Sequence, residues 1–76
     1  MLTPRIGQVV LVPANPAVNN GADVAPAIIT RVWSAQVINV RVLLDSDAIQ
    51  WRTSVKYVDG LDGVEHPHAW TWPEQA

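Results

Sequence analysis

The stretch Pro26-Ala27-Ile28-Ile29-Thr30-Arg31-Val32-Trp33, followed after three residues by Val37-Ile38-Asn39-Val40-Arg41-Val42-Leu43-Leu44, decides the fold. Both runs are apolar and rich in β-branched residues, and neither is interrupted by Gly or Pro. Only Ser34-Ala35-Gln36 separates them, which predicts a β-hairpin with a short loop. On the second arm Ile38, Val40, Val42 and Leu44 alternate onto one face, the predicted core. Val37, Asn39, Arg41 and Leu43 fall on the other. On the first arm Ala27 and Ile29 have one parity, Ile28, Thr30 and Val32 the other, and both sets are largely apolar. That arm is therefore either buried on both faces or shifted in register at a bulge. A lone hairpin is marginal in water, so the remaining chain must pack on it, extend it or close it.

Toward the N-terminus, Gly7 to Val12 predicts a first strand, with Gly7 as a turn or bulge residue and Pro13 ending the pairing. Residues 13–26 hold three Pro and three Asn, a loop composition whose tightest turn is expected at Asn20-Gly21. A loop this long in a compact domain is either an interaction element or a hairpin with a solvated tip. Toward the C-terminus, Asp45-Ser46-Asp47 predicts a turn, and Ala48 to Tyr57 a strand bent at Thr53-Ser54-Val55. Ile49 and Trp51 share one face of that strand, Gln50 and Arg52 the other. Asp59-Gly60 and Asp62-Gly63 make 58–68 a second loop, Ala69 to Trp72 is a short last strand, and 74–76 is a frayed tail.

No segment has helical periodicity, so the class is all-β, with a single domain over 1–76. Five short strands, a long first loop and tight turns between the middle three predict a small five-stranded SH3-like barrel. Closure removes the exposed edges that a small apolar sheet cannot tolerate. The strand pattern resembles Tudor- and KOW-type barrels; an open five-stranded sandwich and an OB-like barrel are the alternatives.

Composition excludes several classes. A chain with 49 % hydrophobic residues is not disordered, and no apolar run approaches the ~20 residues that span a bilayer. Met1 to Arg5 lacks the apolar core of a secretion signal. The absence of Cys removes disulfides and thiolate zinc sites. A net charge of −2 argues against a protein that coats nucleic acid. Ser34, Ser46 and Ser54 lie outside any nucleophile motif, so no enzyme is expected and no catalytic residue is named.

Candidate binding residues remain. Trp70 and Trp72, two apart on a strand, project from one face and either plug the barrel end or form an aromatic platform. Of Trp33 and Trp51, one is expected in the core and the other at the surface. Arg31, Arg41 and Arg52, extended by Lys56, form either a basic face beside Trp33 or a solvated, cross-strand-paired one. His66-Pro67-His68, near Asp62 and Glu65, has two imidazoles but no third, and Pro67 restricts their geometry. The turn-rich Asp59 to Gly63 run lacks the alternating ligands of a calcium loop. Neither a metal nor a cofactor is expected.

The segments Pro26 to Val32, Val37 to Leu43, Thr53-Ser54-Val55 and Trp70-Thr71-Trp72-Pro73-Glu74 resemble a group of short tailed-phage and prophage proteins. That group typically has a Pro-Ala-Ile-Val-Thr-x-Val strand, a Val-Asn-Leu-x-Val-Phe strand, a Ser-Val step and a terminal Trp-His-Trp-Pro-Glu. This chain departs from it at Ile38, Leu43 and Thr71. The resemblance spans Gly7 to Glu74, and the Trp-x-Trp-Pro-Glu ending is its most specific part. It implies a virion protein: a capsid decoration (cement) protein, or a small accessory protein of the head or tail. Such a protein would bind neighbouring capsid or other virion subunits, with Val12 to Val24 as an arm. Asn15, Asn19, Asn20, Trp33, Trp70 and Trp72 are the expected contact residues, and dimers or trimers are expected companions of a small core. The alternative is a Tudor- or KOW-like module that binds nucleic acid or a host protein inside the infected cell. No membrane partner is implied.

Overall fold

The computed structural model describes residues 3–73. Five strands run in chain order: β1 (Val9–Pro13), β2 (Val24–Val32), β3 (Val37–Leu43), β4 (Ile49–Tyr57) and β5 (Ala69–Trp70). They form one sheet in the order β1-β2-β3-β4-β5, antiparallel except for the parallel β4–β5 pair. Leu11 and Thr71 exchange two backbone hydrogen bonds of 2.9 Å, which returns the end of the sheet to β1 and nearly closes the barrel. The architecture is thus a small all-β, SH3-like barrel.

The alternation on β3 sets the inside. Ile38, Val40 and Val42 are fully buried with Val10, Val12, Ala25, Ala27, Ile29 and Val55, and Leu44 joins them at the end of β3. Trp70, only 1 % exposed, fills one end of this core. Its indole N–H donates to the Gln36 carbonyl at 3.0 Å, and Tyr57 and Trp72 meet it edge-on at 5.1 and 5.0 Å. Sealing the barrel with an aromatic ring whose polar atom is satisfied fits the preference of buried Trp for a hydrogen-bond partner.

Two bulges bend the sheet, both beside Asn39. On β2 the register shifts between Ile29 and Arg31, which returns Val32 to the inner face opposite Ile38. The mixed parity of the first arm is therefore a bulge, with Ile28 on the outer surface. On β4 the register shifts opposite Asn39, and Ser54 there adopts φ +56°.

The first loop is shorter than its composition suggests. β2 begins at Val24, so Pro26 lies within a strand rather than at the end of a loop. Leu11, opposite Pro26, spends its N–H and C=O on Thr71, so the Leu11–Pro26 pair requires no donor from proline. On its other side Pro26 lies beyond the last β2–β3 pair, Ala27–Val42. Proline is tolerated where no ladder bond is demanded of it.

Candidate interaction surface

The inside of the barrel is filled, so the side chains available to a partner lie outside it. Cross-strand register places Val9, Ile28, Arg41 and Trp51 side by side across β1, β2, β3 and β4. The adjacent row holds Pro26 on β2 and the Leu43–Ile49 pair of β3 and β4. Ile49 is 64 % exposed, Trp51 55 %, Val9 47 % and Leu43 38 %. Strand alternation sends these residues outward because their neighbours Val10, Ala27, Val40 and Val42 point inward. Contiguous apolar exposure of this kind marks contact surfaces more often than scattered apolar residues do. Sequence reading picked out Trp51 but missed Val9, Ile28, Leu43 and Ile49. The available signal was the excess of apolar residues at the outward positions of the alternation.

Trp33 and Trp51 are both exposed, which corrects the expectation that one of them joins the core. Trp33 sits in the β2–β3 turn, beyond the last inward position of β2, and is 52 % exposed. The Arg31 guanidinium lies 4.0 Å over its ring, and its indole N–H donates to the Asn39 Oδ1 at 2.9 Å. That stack covers one face of the ring and fixes its orientation. Trp70 is buried, and Trp72 is half-buried against it, so this pair is mainly an end plug.

The three arginines do not share a face. Arg41 is exposed on the outer surface between Ile28 and Trp51, and Arg31 is exposed at the β2 bulge. Arg52 has the opposite parity, next to Trp51 and paired with Val40. It reaches across the remaining opening of the barrel, donating to the Pro13 carbonyl at 2.6 Å and, at 3.4 Å, to that of Pro67. Its second terminal nitrogen donates to Gln50 Oε1 at 3.0 Å. Burial lowers the Arg52 pKa from its ordinary value. Arg52 is thus a clasp between β4, the end of β1 and the 58–68 loop. Lys56, next to the inward Val55, is exposed on β4.

Nor is the first loop a projecting arm. Asn19 is 2 % exposed. Its amide nitrogen donates to the carbonyls of Ala22 and Val24 at 2.9 and 3.1 Å, and its oxygen accepts from the Asp45 amide at 2.6 Å. Asn20 and Gly21 occupy the centre of a turn closed by the Ala22 amide on the Asn19 carbonyl at 3.0 Å, both with positive φ. This is the tight turn expected there, and Gly21 takes its φ of +90° without a Cβ penalty. Asn20 also donates to Asp45 Oδ2 at 3.1 Å, so two asparagines fasten the loop to the β3–β4 turn. Asn15 is exposed, with its side chain accepting from the Ala17 amide at 2.9 Å. Asn19 is therefore not a partner contact: the loop needs its polar atoms for itself.

Beside the clasp, Pro13, Arg52, Trp51, Trp72 and the 59–68 loop line an open cleft of about 1350 Å³. His66 and His68 stack there with ring centroids 6.5 Å apart. Among the described residues no three His, Cys, Asp or Glu side chains gather into a metal-binding group. Tyr57, nearby, has its phenol pKa raised above 10.0, by desolvation first and by the hydrogen bond and negative charge of Asp59 next. A hydrogen bond with Thr71 opposes that shift. The chain matches no protein-family model, no curated protein and no solved structure.

Proposed function

We propose that this protein is a structural interaction module of a tailed-phage particle, a capsid decoration protein or a small accessory protein of the head or tail. The observation that carries the reading is the outer apolar surface of Ile28, Leu43, Ile49 and Trp51 around Arg41, on a barrel whose core is already complete without it. A rigid barrel presenting such a face binds a partner with little loss of conformational freedom, because strand side chains are held in register before contact. Many copies on a lattice turn a weak contact into strong attachment. The phage setting comes from the resemblance that runs from Gly7 to the Trp-x-Trp-Pro-Glu ending. Contact is made through the outer sheet face and Trp33 rather than through Asn19 and Asn20, which are engaged with the β3–β4 turn.

Mass spectrometry of purified, nuclease-treated particles, with copy number measured against the major capsid protein, tests this reading. Wash-resistant presence in stoichiometric amount supports it, and absence from the particle overturns it. The Arg31–Trp33 stack favours a second reading, a module that binds nucleic acid, since an exposed ring with an adjacent cation is a platform for a base. Binding to DNA or RNA that weakens steeply with salt and is lost in Trp33→Ala would establish that alternative.

A further inference from the structure

We propose that the outer sheet face is a self-complementary surface and that its occupant is a second copy of this chain, packed face to face about a two-fold axis. The inference rests on reading this face as a contact surface: the subunit that covers it is a second copy, and the exposed Trp33 ring in the β2–β3 turn is left for other subunits of the particle.

The pattern of charge along β3 selects the partner. Outward positions follow one another every second residue: Arg41, Leu43, then Asp45 just past the strand. A two-fold axis in the interface plane, crossing the strands at the Leu43–Ile49 row, sets β3 of one copy antiparallel to β3 of the other. Leu43 then faces Leu43, and Arg41 of each copy faces Asp45 of the other. An isologous interface of this kind makes every such contact twice. Moving the axis one row toward Arg41 would set the two Arg41 side chains against each other. The charge order along β3 therefore admits the Leu43–Ile49 axis and excludes its neighbour.

Four features of the barrel fit this arrangement. The Leu43–Ile49 pair at the centre includes the more exposed aliphatic side chain of the face, Ile49. Arg41 lies between Ile28 and Trp51, apolar neighbours on both adjacent strands. The Asp45 carboxylate is held in place by the Asn20 amide at 3.1 Å, and its backbone by Asn19, so it is positioned before the second copy arrives. Asp47, in the same exposed turn, adds negative charge near the same place.

Four strands spaced ~4.8 Å apart and three outward rows spaced ~6.8 Å apart present roughly 400 Å² per copy. Doubled over the two copies this is about 800 Å², short of the ~1,200 Å² of standard specific interfaces, so the dimer is a weak, transient one, micromolar or weaker.

Sedimentation equilibrium over a concentration series, on wild type and two charge-reversed variants, tests the proposal. Arg41→Asp and Asp45→Arg each place like charges opposite one another, and each variant alone is expected to self-associate roughly tenfold more weakly than wild type. An equimolar mixture of the two restores opposite charges at both contacts and is expected to form a mixed dimer of near wild-type affinity. Circular dichroism of each variant verifies that the barrel is intact, and the mixture itself shows that neither loss comes from misfolding. Wild type that stays monomeric up to millimolar concentration, or variants that associate as wild type does, would sink the dimer. Neither of those results bears on particle incorporation, which the virion measurement decides separately.

Discussion

The indole N–H of Trp33, in the β2–β3 turn, donates to the side-chain oxygen of Asn39 on β3 over 2.9 Å. The same oxygen accepts from the Thr53 hydroxyl at 3.0 Å and from the Ser54 amide at 2.9 Å. One asparagine thus fills the place between the β2 bulge and the β4 bulge, and takes up the backbone donor that the β4 bulge leaves without a ladder partner.

Replacing Asn39 by Leu removes the acceptor for all three donors while keeping apolar volume, and is expected to destabilise the barrel by about 2–3 kcal/mol. Asn39→Asp keeps an acceptor oxygen and should lose clearly less. Urea denaturation of both variants checks this. Equal losses would mean that shape, rather than the shared acceptor, matters at this position.

Ser54 holds φ +56°, a left-handed conformation that disfavours side chains with a Cβ. Ser54→Gly is expected to leave stability unchanged or raise it by up to about 1 kcal/mol, and Ser54→Val to lower it by roughly 1–2 kcal/mol. Thermal melts of the two variants should therefore move in opposite directions or differ by several degrees.

Asn19 joins the first loop to the amide of Asp45. Asn19→Ala leaves the carbonyls of Ala22 and Val24 and the Asp45 amide without this partner, and a loss of about 1–2 kcal/mol is expected. Amide hydrogen exchange at Asp45 should accelerate more than at the β3 core residues Val40 and Val42. Unchanged exchange at Asp45 would contradict the anchoring role.

Tyr57 is the single tyrosine of the chain, so the phenolate absorbance band titrates it alone. Its midpoint is expected above 10.0, and Asp59→Asn should lower it by removing a negative charge that opposes phenolate formation. A phenol with a raised folded pKa holds its proton longer in the native state than in the unfolded one. Its contribution to stability is therefore complete below the ordinary value and declines as pH rises through the folded one. In Tyr57→Phe that alkaline decline should be shallower.

Trp70 and Trp51 form a contrast within one residue type. Trp70→Ala empties the sealed end of the core and is expected to cost about 3–5 kcal/mol, whereas Trp51→Ser should change stability by less than about 1 kcal/mol because its ring is largely in water already. A strongly destabilised Trp51→Ser would show that the outer face supports the barrel itself rather than standing ready for a partner.

The five strands and the inward face of β3 were legible in the sequence. Period-two alternation over Val37 to Leu44 is enforced by the pleat wherever one face is buried, and Ile38, Val40, Val42 and Leu44 obeyed it. The Asn20-Gly21 turn was equally local, since it depends on the φ values a residue tolerates, whereas the bend read at Thr53-Ser54-Val55 is held by Asn39 fifteen residues away from Ser54. The fate of each polar or aromatic side chain was not local. Asn19 and Asn20 had the composition of a solvated loop tip, yet a carboxylate and an amide twenty-five or twenty-six residues away fastened them down. Arg52 shared its residue type with Arg31 and Arg41, but a gap between β1 and β4 that exists only in the closed barrel drew it onto the Pro13 carbonyl. Trp33 and Trp70 read alike as apolar rings, and barrel closure put one on the surface and the other in the core. Alternation is fixed by bonds between neighbours in the chain. Which oxygen meets which donor is fixed by neighbours in space, and only the folded barrel brings those together.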